Sequence, residues 1–338
     1  MQQVGIYGIG SFGYALLRHL EQKAPGQIAL RGFDRNDKIR AALRESRQHP
    51  YHEAATAVSP HVAIVDSVAE LLDGLDVLVL AVTSESTRQV VGNIAAEKWS
   101  GPLTIVNTAK ALDFQTGRRL SEITLETLGG DKPATYAALA GGTIAGEVHL
   151  QEPLGMTIAC EDSASLGGLK KLIASATMWV QASGDLVGVE MAGAFKNVIA
   201  ICAGMARGLK LPYGSVTHLI SRMASEAEDY CVRRMGASAQ TFRIGSPCWG
   251  SDMWMSCMGP TRNSRFGQML GEGKTLDEAM QSMSAQHKTI EGVQTLRAIG
   301  VLLAQYPEEL RLLGAAEQVI LHAAPAGTLL DALSQDSD

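Results

Sequence analysis

The first half of the chain alternates short apolar runs with amphipathic stretches. Residues 3–8, 27–34, 61–66, 76–82 and 103–109 are dense in Val, Ile and Leu and read as strands. Residues 11–22 and 36–47 place apolar side chains at helical spacing between them. Strands apolar on both faces and separated by helices predict a doubly wound, parallel α/β sheet. Residues 134–141 and 155–160 are expected to extend it. After Asp185 the strand-like runs stop, and helical patterns cover residues 187–209, 214–235, 276–285, 287–305 and 307–322. The expected division is an α/β domain over 1–186 and an all-α domain over 187–338, with a polar tail at 334–338 that frays.

Composition narrows the function. The 338 residues are 46% hydrophobic and carry a net charge of -6, which lacks the dense positive surface of a phosphate-backbone binder. The readings are therefore no nucleic-acid partner and, with no run of about 18 uncharged apolar residues, no membrane span. The chain enters a strand at once, without a basic-then-apolar leader. Five scattered cysteines, Cys160, Cys202, Cys231, Cys248 and Cys257, read as reduced thiols of a cytoplasmic protein. No metal site is expected. His49 and His52 have weak metal spacing, with Glu53 the sole nearby carboxylate, and read as solvated loop histidines. Met253, Met255 and Met258, beside Cys257, read as packing and not as a soft-metal site.

The turn after the first strand carries Gly8, Gly10 and Gly13 in G-x-G-x-x-G spacing and opens an amphipathic helix. In that context the glycines permit a tight turn, and the helix N-terminus offers N–H groups to a pyrophosphate. Asp34 ends the next strand, 21 residues past Gly13, where an acid binds a ribose diol. These features predict a Rossmann-like NAD site. Arg31 and Arg35 flank Asp34 and keep NADP open as the cofactor.

A second feature is a charge where none is expected. Lys196 lies in the apolar stretch 188–204, with Ala192, Gly193, Ile199 and Ala200 as its helical neighbours. A buried amine needs a partner or a lowered pKa. A lysine near 10.4 is a poor base at neutral pH, and burial brings it toward working range. Arg262, Asn263 and Arg265 in the segment 261–267 supply a guanidinium fork and an amide suited to a phosphate.

These segments together resemble the NAD(P)-dependent sn-glycerol-3-phosphate dehydrogenase family. The resemblance runs almost end to end, through residues 8–16, 107–123, 141–148, 188–209, 261–273 and 290–299. It implies a helical domain of the 6-phosphogluconate dehydrogenase C-terminal-like type, which binds substrate and forms a homodimer. It places Lys196, Lys110 and Asp252 at catalytic positions: Lys196 as acid–base group, Lys110 also touching substrate and cofactor, and Asp252 as the neighbour of the catalytic lysine. Asn197, Ser256, Arg262, Asn263 and Thr143 fall at substrate positions. Gly8, Gly10, Ser11, Phe12, Gly13, Asp34, Lys110, Ala145 and Arg262 fall at cofactor positions. The implied reaction interconverts sn-glycerol 3-phosphate and dihydroxyacetone phosphate for glycerophospholipid synthesis.

Departures cluster around the substrate. "AGGT" (140–143) stands where the family has Ser-Gly-Pro-Ser, Ala109 and Ala111 flank Lys110, and Trp249 and Trp254 add bulk near Asp252. They leave open a relative acting on another phosphorylated hydroxy or keto compound in a specialised pathway. A non-catalytic NAD(H) sensor is the third reading.

Overall fold

The computed structural model describes all residues except 24–27, 53–56, 131, 286–289, 307 and 335–338. Glu53 and most of the expected frayed tail therefore lie outside the described residues. The chain divides into two compact units, one of Met1–Ala109 with Ser121–Leu186 and one of Lys110–Leu120 with Val187–Asp338. The segment Lys110–Leu120 thus leaves the first half of the sequence to join the helical unit.

The first unit holds an eight-stranded sheet: β1 (Gln2–Tyr7), β2 (Ile28–Phe33), β3 (Ala63–Ile64), β4 (Val77–Leu80), β5 (Leu103–Asn107), β6 (Ala134–Ala140), β7 (Leu154–Cys160) and β8 (Met178–Ser183). Their order is β3-β2-β1-β4-β5-β6-β7-β8. The helices are α1 (Ser11–Lys23), α2 (Asp37–Glu45), α3 (Val68–Leu72), α4 (Ser84–Ala96), α5 (Leu120–Leu128), α6 (Ala145–His149) and α7 (Ser163–Ile173). Two features depart from the expected parallel sheet. β6 and β7 run antiparallel, and β8, which pairs in parallel with β7, has no counterpart among the expected strands. β8 is an edge strand with Trp179 exposed, so it lacks the continuous apolar run of its interior neighbours. β1 lies between β2 and β4, so the chain leaves it in one direction and returns on its other side. That reversal puts the glycine turn at the switch point where doubly wound sheets bind ligands.

The second unit is helical: α8 (Leu186–Gly208), α9 (Tyr213–Met235), α10 (Asp252–Met258), α11 (Arg262–Gly271), α12 (Leu276–Ser284), α13 (Glu291–Leu303), α14 (Arg311–Leu321) and α15 (Gly327–Ser334). A short π-helical turn, Pro247–Ser251, precedes α10. α8 is long and apolar enough by composition to cross a membrane, but 89% of its apolar window is buried within the protein.

Its small residues explain that burial. A methyl at Gly204 would sit 2.0 Å from the Ser264 carbonyl oxygen, and one at Gly208 2.3 Å from that of Gln268. From the other side, Gly267 and Gly271 face the carbonyls of Ile201 and Met205 at 1.9 and 2.2 Å. Glycines four apart on both helices therefore bring two backbones into contact, closer than ordinary side-chain packing permits.

Gly267→Ala is expected to cost several kcal/mol of stability, since the obstruction is backbone and cannot rotate away. Gly168→Ala, on the exposed face of α7 with no atom within 4 Å, is expected to stabilise by about 0.5–1 kcal/mol. Thermal denaturation of both variants checks the contrast; equal effects would refute it.

Candidate active site

The chemistry of the helical unit centres on Asp252. The π-helical turn makes this residue the first of α10 and turns its carboxylate inward. Gly250 permits the turn, because a methyl there would meet the Ile244 carbonyl at 1.9 Å. Asp252 is fully buried, and its carboxylate is spent on lysines rather than on capping its helix. Oδ1 accepts from Lys196 Nζ at 2.9 Å, and Oδ2 accepts from Lys110 Nζ at 2.8 Å.

Lys196 lies on α8, only 5% exposed, so it does not reach solvent from a helix edge. Besides Asp252 it donates to Ser256 Oγ at 2.9 Å, while the Ser256 hydroxyl donates to Asp252 Oδ1 at 3.1 Å. An ammonium has three N–H groups, and among the described residues two find partners. The same two bonds survive in the neutral amine, which then holds a lone pair in the third direction. Lys196 can therefore gain or lose a proton without disturbing its support.

Lys110 reaches this site because its segment is pinned to the helical unit. Arg119 pairs with Glu190 of α8 at 3.2 Å, and Leu112 bridges Arg119 across a tight turn. Gly193 leaves room for the Lys110 stem, which approaches its position to 3.3 Å. Asn197 Nδ2 holds the Lys110 carbonyl at 2.9 Å, and its Oδ1 accepts from Asn263 Nδ2 at 2.8 Å. Asn263 Oδ1 in turn accepts from the Gly292 N–H at 3.3 Å. Arg262, beside Asn263 at the start of α11, is exposed and has no partner among the described residues.

The electrostatics follow from burial. Desolvation pulls the Lys196 pKa below its ordinary value, aided by the Lys110 charge and opposed by Asp252. Burial alone would raise Asp252, but the two ammonium groups outweigh it and hold the carboxyl below its usual range. Burial pushes the Cys257 thiol up to about 12, which removes it as a nucleophile; its Sγ packs on Met253 Sδ at 3.5 Å.

Sequence reasoning missed Glu291. It opens α13, accepts from Asn197 Nδ2 at 3.4 Å and favours the charged form of Lys196. Its signal was an acid in the first turn of an apolar helical run. Trp249 is core, edge-on to Phe242 at 5.1 Å, whereas Trp254 is 59% exposed.

The remaining predicted residues belong to the first unit. Gly8 turns with φ +94°, and a side chain there would strike the Ala81 carbonyl. Gly13 packs on the Gly8 carbonyl so closely that a methyl would lie 1.9 Å away, while at Gly10 no atom lies within 4 Å. A tight turn, an open approach and a close helix–strand contact fit a dinucleotide pyrophosphate. Ser11 and Phe12 begin α1. Asp34 accepts from the Ile9 N–H at 2.7 Å and the Asn36 N–H at 2.8 Å, so it builds the turn as well as facing it. Thr143 has a buried hydroxyl with no partner among the described residues, two positions before Ala145 at the start of α6.

Two expectations need correction. Arg31 is unsuited to a 2′-phosphate, because its guanidinium holds the carbonyls of Glu70 and Asp73; Arg35 stays exposed. His49 is not solvated, being 3% exposed and bonded to the Ile9 carbonyl. Among the described residues no cluster of His, Cys, Asp and Glu could hold a metal.

Comparison with known proteins agrees with both units. Residues 3–166 match the family description NAD-dependent glycerol-3-phosphate dehydrogenase N-terminus, and residues 185–331 match its C-terminus. The glycerol-3-phosphate dehydrogenase [NAD(P)+] of Desulfitobacterium hafniense is 30% identical over 98% of this chain and 91% of its own. The chain belongs to the NAD-dependent glycerol-3-phosphate dehydrogenase family. A chloroplastic glycerol-3-phosphate dehydrogenase [NAD(+)] of Arabidopsis thaliana is also 30% identical, over 94% of this chain and 74% of its own. The fold matches the solved glycerol-3-phosphate dehydrogenase of Coxiella burnetii with TM-score 0.86 at 23% identity, covering 99% of each chain. Membership makes this dehydrogenase an NAD(P)-dependent oxidoreductase acting on CH–OH groups.

Lys196→Ala is expected to lower turnover about 100- to 10,000-fold, the range of general acid–base catalysis. In Asp252→Asn the amine loses the anion that favours its charge, so its pKa falls further. If that ammonium protonates the ketone, the basic limb of ketone reduction should then move to lower pH. A limb that stays or rises in the pH–rate profile contradicts this assignment.

Proposed function

We propose that this chain interconverts sn-glycerol 3-phosphate and dihydroxyacetone phosphate, with NAD or NADP as the oxidant or reductant, for glycerophospholipid synthesis in the cytoplasm. The observation that carries the reading is the buried Lys196–Asp252–Lys110 arrangement, joined through Asn197 to Asn263 beside the exposed Arg262. Gly8, Gly10, Ser11, Phe12, Gly13, Asp34 and Ala145 would hold the dinucleotide. When bound, its nicotinamide supplies the hydride acceptor or donor.

The chain's own residues handle the proton. In oxidation, neutral Lys196 takes it from the substrate hydroxyl along its third direction. In reduction, the ammonium returns it to the ketone oxygen. Lys110 stabilises negative charge developing on that oxygen, and Asp252 keeps both amines in place. Arg262 and Asn263 bind the phosphate, Arg262 as a charged fork. The Thr143 hydroxyl, which no described residue engages, is a further candidate to bind substrate. Large apolar side chains exposed on the helical unit, Tyr213 and Ile244 among them, support a homodimer formed through that unit.

The decisive assay follows NADH and NADPH oxidation with dihydroxyacetone phosphate, other ketose phosphates and unphosphorylated dihydroxyacetone. Dihydroxyacetone phosphate should turn over fastest; turnover of another ketose phosphate alone would overturn the substrate reading. Arg262→Ala should raise KM for the phosphorylated ketone about 10- to 100-fold, the scale of a charged hydrogen bond, and spare the unphosphorylated one. Equal losses on both would show that Arg262 does not read phosphate. Sedimentation equilibrium should give twice the chain mass, and a single chain mass would rule out the dimer.

A further inference from the structure

One buried titratable group of the first unit is committed to the glycine turn and has no part in the proton chemistry. His49 follows α2 and is 3% exposed. Its Nε2 lies 2.7 Å from the Ile9 carbonyl oxygen, which can only accept, so Nε2 carries a proton and donates. Its Nδ1 accepts from the Tyr51 N–H at 3.2 Å. One neutral tautomer therefore satisfies both nitrogens.

Ile9 is the middle residue of Gly8-Ile9-Gly10, and Asp34 takes its N–H at 2.7 Å. Its two flanking peptide groups are thus held from opposite ends, one by a carboxylate and one by an imidazole. The Ile9 carbonyl and the Gly10 N–H share a single planar, trans peptide. Holding the oxygen therefore fixes the direction of that N–H, at the position where no protein atom would meet a side chain.

The surroundings favour the neutral ring. His52 stacks at 4.4 Å between centroids, and Tyr14 of α1 lies at 5.2 Å. His149 of α6 sits across Tyr14 at 5.4 Å, and Arg18 lies one turn along α1. Tyr51 borders the ring at 5.9 Å. The bond to the Ile9 carbonyl and the Asp34 charge favour a cation, while burial, His52 and His149 oppose it. A second proton, on Nδ1, would oppose the Tyr51 N–H and place a charge in a buried site. An imidazolium would keep its Nε2 donor to the Ile9 carbonyl, but the opposed Nδ1–H and Tyr51 N–H would shift the ring and change the direction of that contact.

We propose that His49 is a positioning residue for the dinucleotide: neutral, it aims the Ile9–Gly10 peptide of the glycine turn at the pyrophosphate, and its protonation weakens cofactor binding at acid pH. The proposal rests on the reading that this turn holds the dinucleotide. Burial, the largest influence, holds the His49 pKa below the ordinary imidazole value, and His52 and His149 are lowered by the same cause. Cofactor affinity is therefore constant above about pH 6.5 and is lost only as pH falls through the lowered His49 pKa.

The test is an NADH fluorescence titration of the full-length enzyme from pH 8 to pH 5, with unfolding temperature measured at each pH. The wild-type Kd should be flat above about pH 6.5 and rise as pH falls toward 5. His49→Gln, whose amide can donate to the same carbonyl but does not titrate, should bind within about threefold of wild type at pH 8 and stay flat. His49→Phe should bind about tenfold more weakly at pH 8 and also stay flat. A wild-type Kd that is constant or falls toward pH 5 overturns the proposal without any variant. So does His49→Gln keeping the wild-type slope, which would assign it to His52 or His149. Wild-type affinity in His49→Phe overturns the positioning role. Wild type that binds neither NADH nor NADPH at any pH overturns the dinucleotide reading of the turn itself.

Discussion

The helical unit is organised around one anion that water cannot reach. A buried carboxylate is tolerable only with compensating charge and hydrogen bonds, and Asp252 has both from two lysines and a serine. Meeting that demand takes three stretches far apart in sequence: the segment after β5, the middle of α8 and the start of α10. Displacing any of them takes a partner from a buried charge, and removing one partner of a buried pair costs about 3–5 kcal/mol. The same constraint explains why Lys110–Leu120 belongs with the helices although it follows a strand.

Close packing of backbone delivers the rest of the site. Gly204, Gly208, Gly267 and Gly271 bring α8 and α11 together, and Gly292 admits the start of α13 against the Asn197 carbonyl. Asn263, Asn197 and Glu291 consequently meet in one chain of hydrogen bonds leading to the Lys110 carbonyl. The glycine and alanine content of α8 is thus the means by which polar groups at three helix positions reach hydrogen-bond distance, besides being a membrane-like composition.

The first unit uses glycine differently. Its turn is built from one position of positive φ, one left open and one pressed on a carbonyl, with Asp34 and His49 holding the two peptides that flank Ile9. The sheet places this turn at its switch point, and no side chain of the turn needs to be charged for it to receive an anion.

The strands of the sheet interior, the long helices and the glycine fingerprint were legible from periodicity and spacing, because each is a local property of the chain. Lys196 stood out for the same reason: a charge inside an apolar helical face is visible without coordinates. β8 was not legible, since an edge strand shares its pattern with half-buried loops, and the antiparallel turn at β6–β7 leaves no local mark. Glu291 and His49 were also hidden, because their roles lie in what they touch: Asn197 in one case, a backbone carbonyl 40 residues away in the other. The amino-acid order alone determined which groups could carry charge and which stretches had to be buried. Only the tertiary structure decided which charges share one dry space, because desolvation and pairing depend on distance through space and not along the chain.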